Sequence, residues 1–196
     1  MYTQTTERLW RKNRATIAGS TCVGVDLNRN WAWKWDVPGA ASTEPCSDTF
    51  RGRSAGDSTE FKVLSTYINK LANSAAGAKL YIDWHSYAQL FMSPYSYTCT
   101  AKAADNAELV ALGQGYVAEA KKPYGTIYKS GTICNIVYEA SGSSVDYTYD
   151  VSKIKYSFGA ELRDTGGHGF ILPPDQILPT AVESWAGVKY LLGKMK

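Results

Sequence analysis

Three stretches of this chain gather side chains whose types and spacing could do chemistry. The first is Gly24-Val25-Asp26-Leu27-Asn28-Arg29-Asn30-Trp31, where polar groups crowd directly after an apolar step. The fork-shaped guanidinium of Arg29 beside the amide of Asn28 suits a planar carboxylate ligand. An arginine flanked by asparagines is also the composition of a common turn. The second is Trp84-His85-Ser86, at the C-terminal end of an apolar run, where open α/β sheets place their ligand sites. A lone histidine at a strand end is equally compatible with a satisfied structural role. The third is Tyr156-Ser157-Phe158-Gly159-Ala160-Glu161-Leu162-Arg163-Asp164, which sets Glu161 near the end of an apolar strand. A carboxylate there must be paired, ionised at a cleft or metal-bound, because burying it alone costs too much. The plain alternative is an ion pair with Arg163 or Arg29.

Histidine is scarce, so metal chemistry can be checked residue by residue. The chain has two, His85 and His168; three residues past each lie Ala88 and Ile171, and no His-x-x-x-His occurs. His168, in Gly166-Gly167-His168-Gly169, reads as a structural loop residue.

The elements that must position these groups follow from periodicity. Phe61, Leu64, Ser65, Ile68, Leu71, Ala72 and Ala75 recur at helical spacing, and Asp57-x-x-Glu60 reads as a capping box opening a helix over 57–76. Lys79 to His85 reads as a mostly buried strand, followed by apolar Leu90-Phe91-Met92 that Pro94 stops. Residues 103–121 predict a second helix with Ala107, Val110, Ala111, Gln114 and Val117 on its inner face. A third begins near Pro174-Asp175 with Leu178, Ala181, Val182, Trp185, Val188 and Leu192 inward. Thr126 to Tyr128, Ile133 to Val137 and Ile154 to Leu162 are further strand candidates. Strands alternating with helices imply an α/β class with a mixed, largely internal sheet flanked by helices.

Composition narrows the function. The 196 residues fit one ordinary domain, or a large piece of one. A net charge of +3, from 21 Lys and Arg against 18 Asp and Glu, gives no basic excess for a nucleic-acid surface. No apolar run is long enough for a membrane span. Cys22, Cys46, Cys99 and Cys134 are even in number and show no Cys-x-x-Cys spacing, which favours two disulfides over a zinc knuckle and points to an oxidising, extracellular destination. Met1-Tyr2-Thr3-Gln4-Thr5-Thr6-Glu7-Arg8 has none of the parts of a signal peptide, so the expectation is a secreted protein whose leader lies outside this sequence.

Taken in order, the motifs resemble one family. Trp10-Arg11-Lys12, the Gly24 to Trp31 segment, Asp83-Trp84-His85-Ser86-Tyr87, Tyr138-Glu139-Ala140-Ser141-Gly142-Ser143-Ser144-Val145-Asp146, and Ile154 to Phe158 continuing through Glu161-Leu162-Arg163-Asp164-Thr165-Gly166 are similar to the zinc metallocarboxypeptidases of the pancreatic carboxypeptidase A/B type. The resemblance implies that His85 is a zinc ligand, that Glu161 is the general base or acid, and that Arg11 polarises the scissile carbonyl. It implies that Asn28, Arg29 and Tyr138 grip the C-terminal carboxylate of a peptide or protein substrate, with Arg8 and Arg163 lining or supporting the cleft. Val145 falls where relatives preferring Lys or Arg carry an acidic residue, and Ile133, Ala140 and Gly159 add small apolar walls, so aromatic and large aliphatic C-terminal residues are expected. Disulfides Cys22 to Cys46 and Cys99 to Cys134 are implied as well.

The departure from the family pattern is His-x-x-Glu, which supplies the other zinc ligands and occurs nowhere in the 196 residues. Catalytic zinc takes three protein ligands and an open position. Residues 1–196 are therefore expected to be the C-terminal portion of a single catalytic domain, lacking its first strands and inactive alone. Asp26 resembles the carboxylate that orients the absent histidine, and would here be left without that partner. An open sheet edge and an uncovered apolar face should result. The alternative is a non-catalytic binder of peptide C-terminal carboxylates.

Overall fold

A computed structural model describes residues 2–196. Its centre is a four-stranded mixed sheet in the order β1-β4-β2-β3, with β1 at Leu80–Ser86, β2 at Leu90–Ser93, β3 at Lys129–Thr132 and β4 at Tyr156–Leu162. β1 runs parallel to β4, β2 parallel to β3, and β2 antiparallel to β4. The helices are α1 (Tyr2–Thr5), α2 (Thr59–Ala72), α3 (Asn106–Lys121), α4 (Ile133–Ile136), α5 (Ser144–Asp150) and α6 (Ile177–Lys194). None is long and apolar enough to cross a membrane among the described residues. The mixed α/β class expected from the sequence is what the chain adopts.

The main core lies between the sheet and the α3/α6 pair. Phe91 of β2 stacks on Tyr116 of α3 with ring centroids 3.6 Å apart, and Phe158 of β4 tilts against Phe91 at 4.9 Å. Fully burying such rings stabilises by about 2–3 kcal/mol each. Close approach of α3 and α6 depends on two glycines. A Cβ at Gly187 would lie 2.4 Å from the Tyr116 ring, and one at Gly115 would lie 2.1 Å from Tyr190, so each tyrosine fills a notch in the opposite helix.

Four local readings are corrected. Helix α2 is capped by Ser58, whose Oγ accepts the Phe61 N–H at 3.2 Å, and not by Asp57. Asp57 accepts instead from Asn30 Nδ2 and the Arg53 and Ser54 amides, while Glu60 accepts from Asn13. The inner face of α3 is Leu109, Leu112, Gly113, Tyr116 and Ala120. This second apolar stripe wins over the expected one because it carries the ring that stacks on Phe91 and the glycine that meets Ser130. On α6 the buried positions are Thr180, Glu183, Gly187 and Leu191, while Leu178, Trp185 and Leu192 of the expected face are more than half exposed. Ile133 to Ile136 forms the helical turn α4, with Asn135 Nδ2 donating to Thr132 Oγ1 and the Cys99 carbonyl, where its β-branched residues had suggested a strand.

The expected open edge is present. β1 pairs on one side with β4 and ends the sheet on the other, and Trp84 on it is 44% exposed. The cysteines pair as Cys22–Cys46 and Cys99–Cys134.

Candidate functional site

The geometry of β1 and β4 brings two of the chemical residues side by side. In the parallel register His85 faces Glu161 and Asp83 faces Gly159. Side chains two apart on a strand share a face, so Asp83 and His85 project together, with the glycine leaving room opposite Asp83. Asp83 Oδ2 lies 3.0 Å from His85 Nε2, and the Ser144 hydroxyl at the start of α5 donates to the same carboxylate. Burial alone would lower the His85 pKa, but the Asp83 hydrogen bond and charge, together with Glu161, raise it. Asp83 is lowered: burial opposes this, and the bond and charge from His85 prevail. Glu161 is raised, by burial first, with His85 and Arg11 working against it and Asp83 with it. Its Oε2 is buried without a hydrogen-bond partner, and neither Arg163 nor Arg29 pairs with it.

The Gly24 to Trp31 segment folds as a single 3₁₀ turn over Leu27–Arg29, capped by Asp26, whose Oδ1 accepts the Asn28 N–H at 3.0 Å. Asp26 Oδ2 also holds Arg11, through Nε at 3.0 Å and Nη2 at 2.9 Å. The carboxylate expected to lack a partner thus fixes a guanidinium. Arg29 is 4% exposed. It donates to the Asn28 carbonyl at 2.8 Å and to the Tyr138 hydroxyl at 2.9 Å. The turn is pressed against Gly142 (φ +64°), where a Cβ would sit 2.2 Å from the Arg29 carbonyl oxygen. Any larger residue would push Arg29 away. Asn28 is oriented by the Ser144 N–H, which donates to its Oδ1 at 3.2 Å, so that its NH₂ group turns toward His85.

These residues line one cavity: Arg11, Asn28, Arg29, His85, Tyr138 and Glu161. Val145, Ile133, Ala140, Gly159 and Met92 form its apolar end. A Cβ built on Gly159 would meet Val145, Met92 and Ile133 at 3.6–3.8 Å, so the glycine keeps open a space walled by three aliphatic side chains. The Cys99–Cys134 disulfide ties down the turn that carries Ile133. Guanidinium and amide donors, a carboxyl group, an imidazole and an aliphatic recess around one cavity suit a ligand with a carboxylate beside a nonpolar side chain.

Arg8 and Arg163 stand elsewhere. Both line a neighbouring apolar groove with Trp84, Phe170 and Ile177, and only Ser86 is shared with the first cavity. Arg8 donates to the Phe170 carbonyl at 3.1 Å. Arg163 donates to Thr126 Oγ1 and to both oxygens of Glu183. His168 is a loop residue on Asp164, as expected. Sequence reasoning missed Asp83 and Ser144; the i, i+2 spacing of Asp83 and His85 on a predicted strand was the signal that could have found the first.

For a metal, the cavity offers the His85 imidazole and the unpartnered Glu161 oxygen, which suit zinc and a water beside it. It offers one of the three protein ligands that catalytic zinc takes. Elsewhere among the described residues, Cys99, Cys134 and Glu139 cluster closely, but both sulfurs are bonded to each other and cannot serve.

Comparison with known proteins gives a consistent result. The zinc carboxypeptidase family profile (Peptidase_M14) matches residues 1–187. Metallocarboxypeptidase A of Trichophyton rubrum is 49% identical over 191 residues, covering 97% of this chain and 45% of the relative. Carboxypeptidase A2 of Mus musculus is 47% identical over 192 residues, 98% of this chain and 44% of that protein. Among solved structures, bovine thrombin-activatable fibrinolysis inhibitor in complex with tick carboxypeptidase inhibitor superposes with a TM-score of 0.92 at 35% identity, covering 98% of this chain and 64% of that one. Carboxypeptidase A from Helicoverpa armigera gives 0.83 at 34%, over 96% and 46%. The chain spans about half the length of the curated relatives it matches.

Proposed function

Because this chain belongs to the zinc carboxypeptidase family, we propose that residues 1–196 are the C-terminal portion of a secreted exopeptidase domain that releases single C-terminal residues, preferring aromatic and large aliphatic ones. The observation that carries the reading is the cross-strand pairing of His85 with Glu161 inside one cavity that also holds Arg29, Tyr138 and an aliphatic recess.

Arg29, Asn28 and Tyr138 hold the substrate's terminal carboxylate, the guanidinium being preset by the Asn28 carbonyl and the Tyr138 hydroxyl. The terminal side chain enters the recess of Val145, Ile133, Ala140 and Gly159, where an ammonium would find no counter-charge. Arg11, fixed by Asp26, faces the charge that develops on the scissile carbonyl oxygen. Glu161 takes a proton from the attacking water and delivers it to the leaving amine. His85 is this chain's zinc ligand, and a segment carrying His-x-x-Glu, outside this sequence, completes the set. Zinc, when bound, supplies Lewis acidity and lowers the pKa of water. The four half-cystines agree with an extracellular destination.

The test is complementation. The chain joined to, or mixed with, the upstream segment of a relative should release C-terminal Phe faster than Lys in a chelator-sensitive manner. Glu161→Gln in that enzyme should lower kcat by about 10²–10⁴-fold with KM little changed, since the base acts in the transition state. Undiminished turnover by that variant would remove Glu161 from the role. Robust chelator-sensitive hydrolysis by the 196 residues alone would show the metal site is elsewhere.

A further inference from the structure

Asp83 has no role in the proposal above, yet it is the closest charged neighbour of His85. It is part of a chain of contacts: the Ser144 hydroxyl donates to Oδ2, and the same Oδ2 lies 3.0 Å from His85 Nε2. A second group competes for that nitrogen, because Asn28 Nδ2 stands 3.3 Å away. The two neighbours require opposite protonation. A carboxylate accepts only, so it calls for Nε2–H; an amide NH₂ donates only, so it calls for a lone pair on Nε2. The Asn28 amide cannot resolve the conflict by flipping, since its Oδ1 already accepts the Ser144 N–H. A carboxylate oxygen 3.0 Å from Nε2 attracts an N–H and repels a lone pair, and its charge outweighs a neutral amide at 3.3 Å. Nδ1 makes no hydrogen bond among the described residues.

We propose that Asp83 is a positioning residue for His85: it accepts the Nε2–H, fixes that tautomer and ring orientation, and leaves the Nδ1 lone pair as the donor to the metal. This rests on the reading of His85 as a zinc ligand. A ligating histidine is commonly braced through its other nitrogen, and loss of the brace weakens metal affinity about 10- to 100-fold. The same choice frees the Asn28 NH₂ group from the ring, so that it points into the cavity as a donor for the substrate carboxylate. Ser144 opens α5, the helix that carries Val145, so the brace also joins the ligand's strand to the wall of the recess.

The two histidines make the experiment direct. In the metal-free 196-residue chain, long-range proton–nitrogen correlation spectra on the alkaline side of both imidazole titrations report each tautomer. His168, whose Nδ1 lies 3.0 Å from Asp164, should show Nδ1–H, and His85 the opposite, Nε2–H; His168→Gln assigns the signals. Zinc titrated into the same sample should shift Nδ1 of His85. Asp83→Asn should move His85 to a mixture or to Nδ1–H while the amide spectrum elsewhere stays unchanged. Should that variant not fold, Ser144→Ala, which removes only the hydroxyl holding Asp83, should give a smaller move in the same direction. An Nδ1–H tautomer in the wild-type chain, a zinc shift at Nε2, or an unchanged tautomer in Asp83→Asn would each overturn the proposal. The tautomer is read without metal or turnover, so failure of the complementation assay beside an Nε2–H signal would count against the enzyme reading and not against the brace.

Discussion

Removing Arg163 should unfold the chain far more readily than its position outside the cavity suggests. Glu183 is 0% exposed, and its carboxylate is satisfied by three donors: Arg163 Nε at 2.9 Å, Arg163 Nη2 and the Thr126 hydroxyl. Arg163→Met takes away two of the three and leaves an uncompensated buried charge, which costs about 3–5 kcal/mol. Glu183→Met strands the Arg163 guanidinium, which loses two charged hydrogen bonds worth about 1.5–3 kcal/mol each, so a loss of about 3–5 kcal/mol is expected. The double variant Arg163→Met with Glu183→Met leaves no buried charge unpaired, only the Thr126 hydroxyl without its two partners, and should recover to within about 1–2 kcal/mol of wild type, far short of the sum. Urea unfolding followed by tryptophan fluorescence, below the concentration at which sedimentation detects association, measures all four corners of the cycle. Against a total stability on the order of 5–15 kcal/mol, the Arg163→Met midpoint should fall conspicuously at unchanged m. Single variants that each cost under about 1 kcal/mol, or a double variant that costs their sum, would refute the account.

Other expectations bear on pH, specificity and association. The Asp146 carboxyl is pushed up to about 6, by burial first, against the opposing bonds from the Ser96 hydroxyl and the Ser96 and Tyr97 amides, with Asp150 adding to the rise. The native state therefore keeps a proton that the unfolded state releases between about pH 4 and 6, and stability should fall by about 3 kcal/mol as pH rises through that window. Asp146→Asn should lack this slope, and parallel urea-midpoint profiles for the two proteins would contradict it. Val145→Asp in the complemented enzyme should shift the ratio of Lys to Phe release toward Lys by about 10- to 100-fold, the worth of a charged hydrogen bond; an unchanged ratio would place the recess elsewhere. With β1 an open edge and Trp84 and Trp185 exposed, the chain alone should form oligomers, and a monodisperse monomer at micromolar concentration in sedimentation velocity would speak against the uncovered-face reading.

The sequence revealed some levels of this structure and concealed others. Motif wording singled out His85, Glu161, Arg29 and Tyr138, and the fold brings all four to the lining of one cavity. Helix faces were less legible. On α3 and α6 the sequence offers more than one apolar stripe, and the choice falls to Tyr116, Gly187, Tyr190 and Gly115, whose interlocking is a property of the pair and of neither helix alone. The strand suggested at Ile133 became a turn because Asn135 found partners 3 and 36 residues away, which β-propensity cannot express. Asp83 was passed over as one polar residue in an apolar run, and its significance comes from the register that sets it opposite a glycine.

The reciprocal notches between α3 and α6 have a mechanical consequence. Glu183 lies one turn before Gly187, on the same face of α6. Two tyrosines seated in two glycine notches admit one axial setting of the helices and no sliding. That setting fixes the height at which Glu183 meets Arg163, and Arg163 lies one residue past the end of β4 and two beyond Glu161. The back layer thus acts as a gauge for the front: a methyl group added at Gly187 or Gly115, on the far side of the sheet from the cavity, would be read out as a misplaced carboxylate at Glu161.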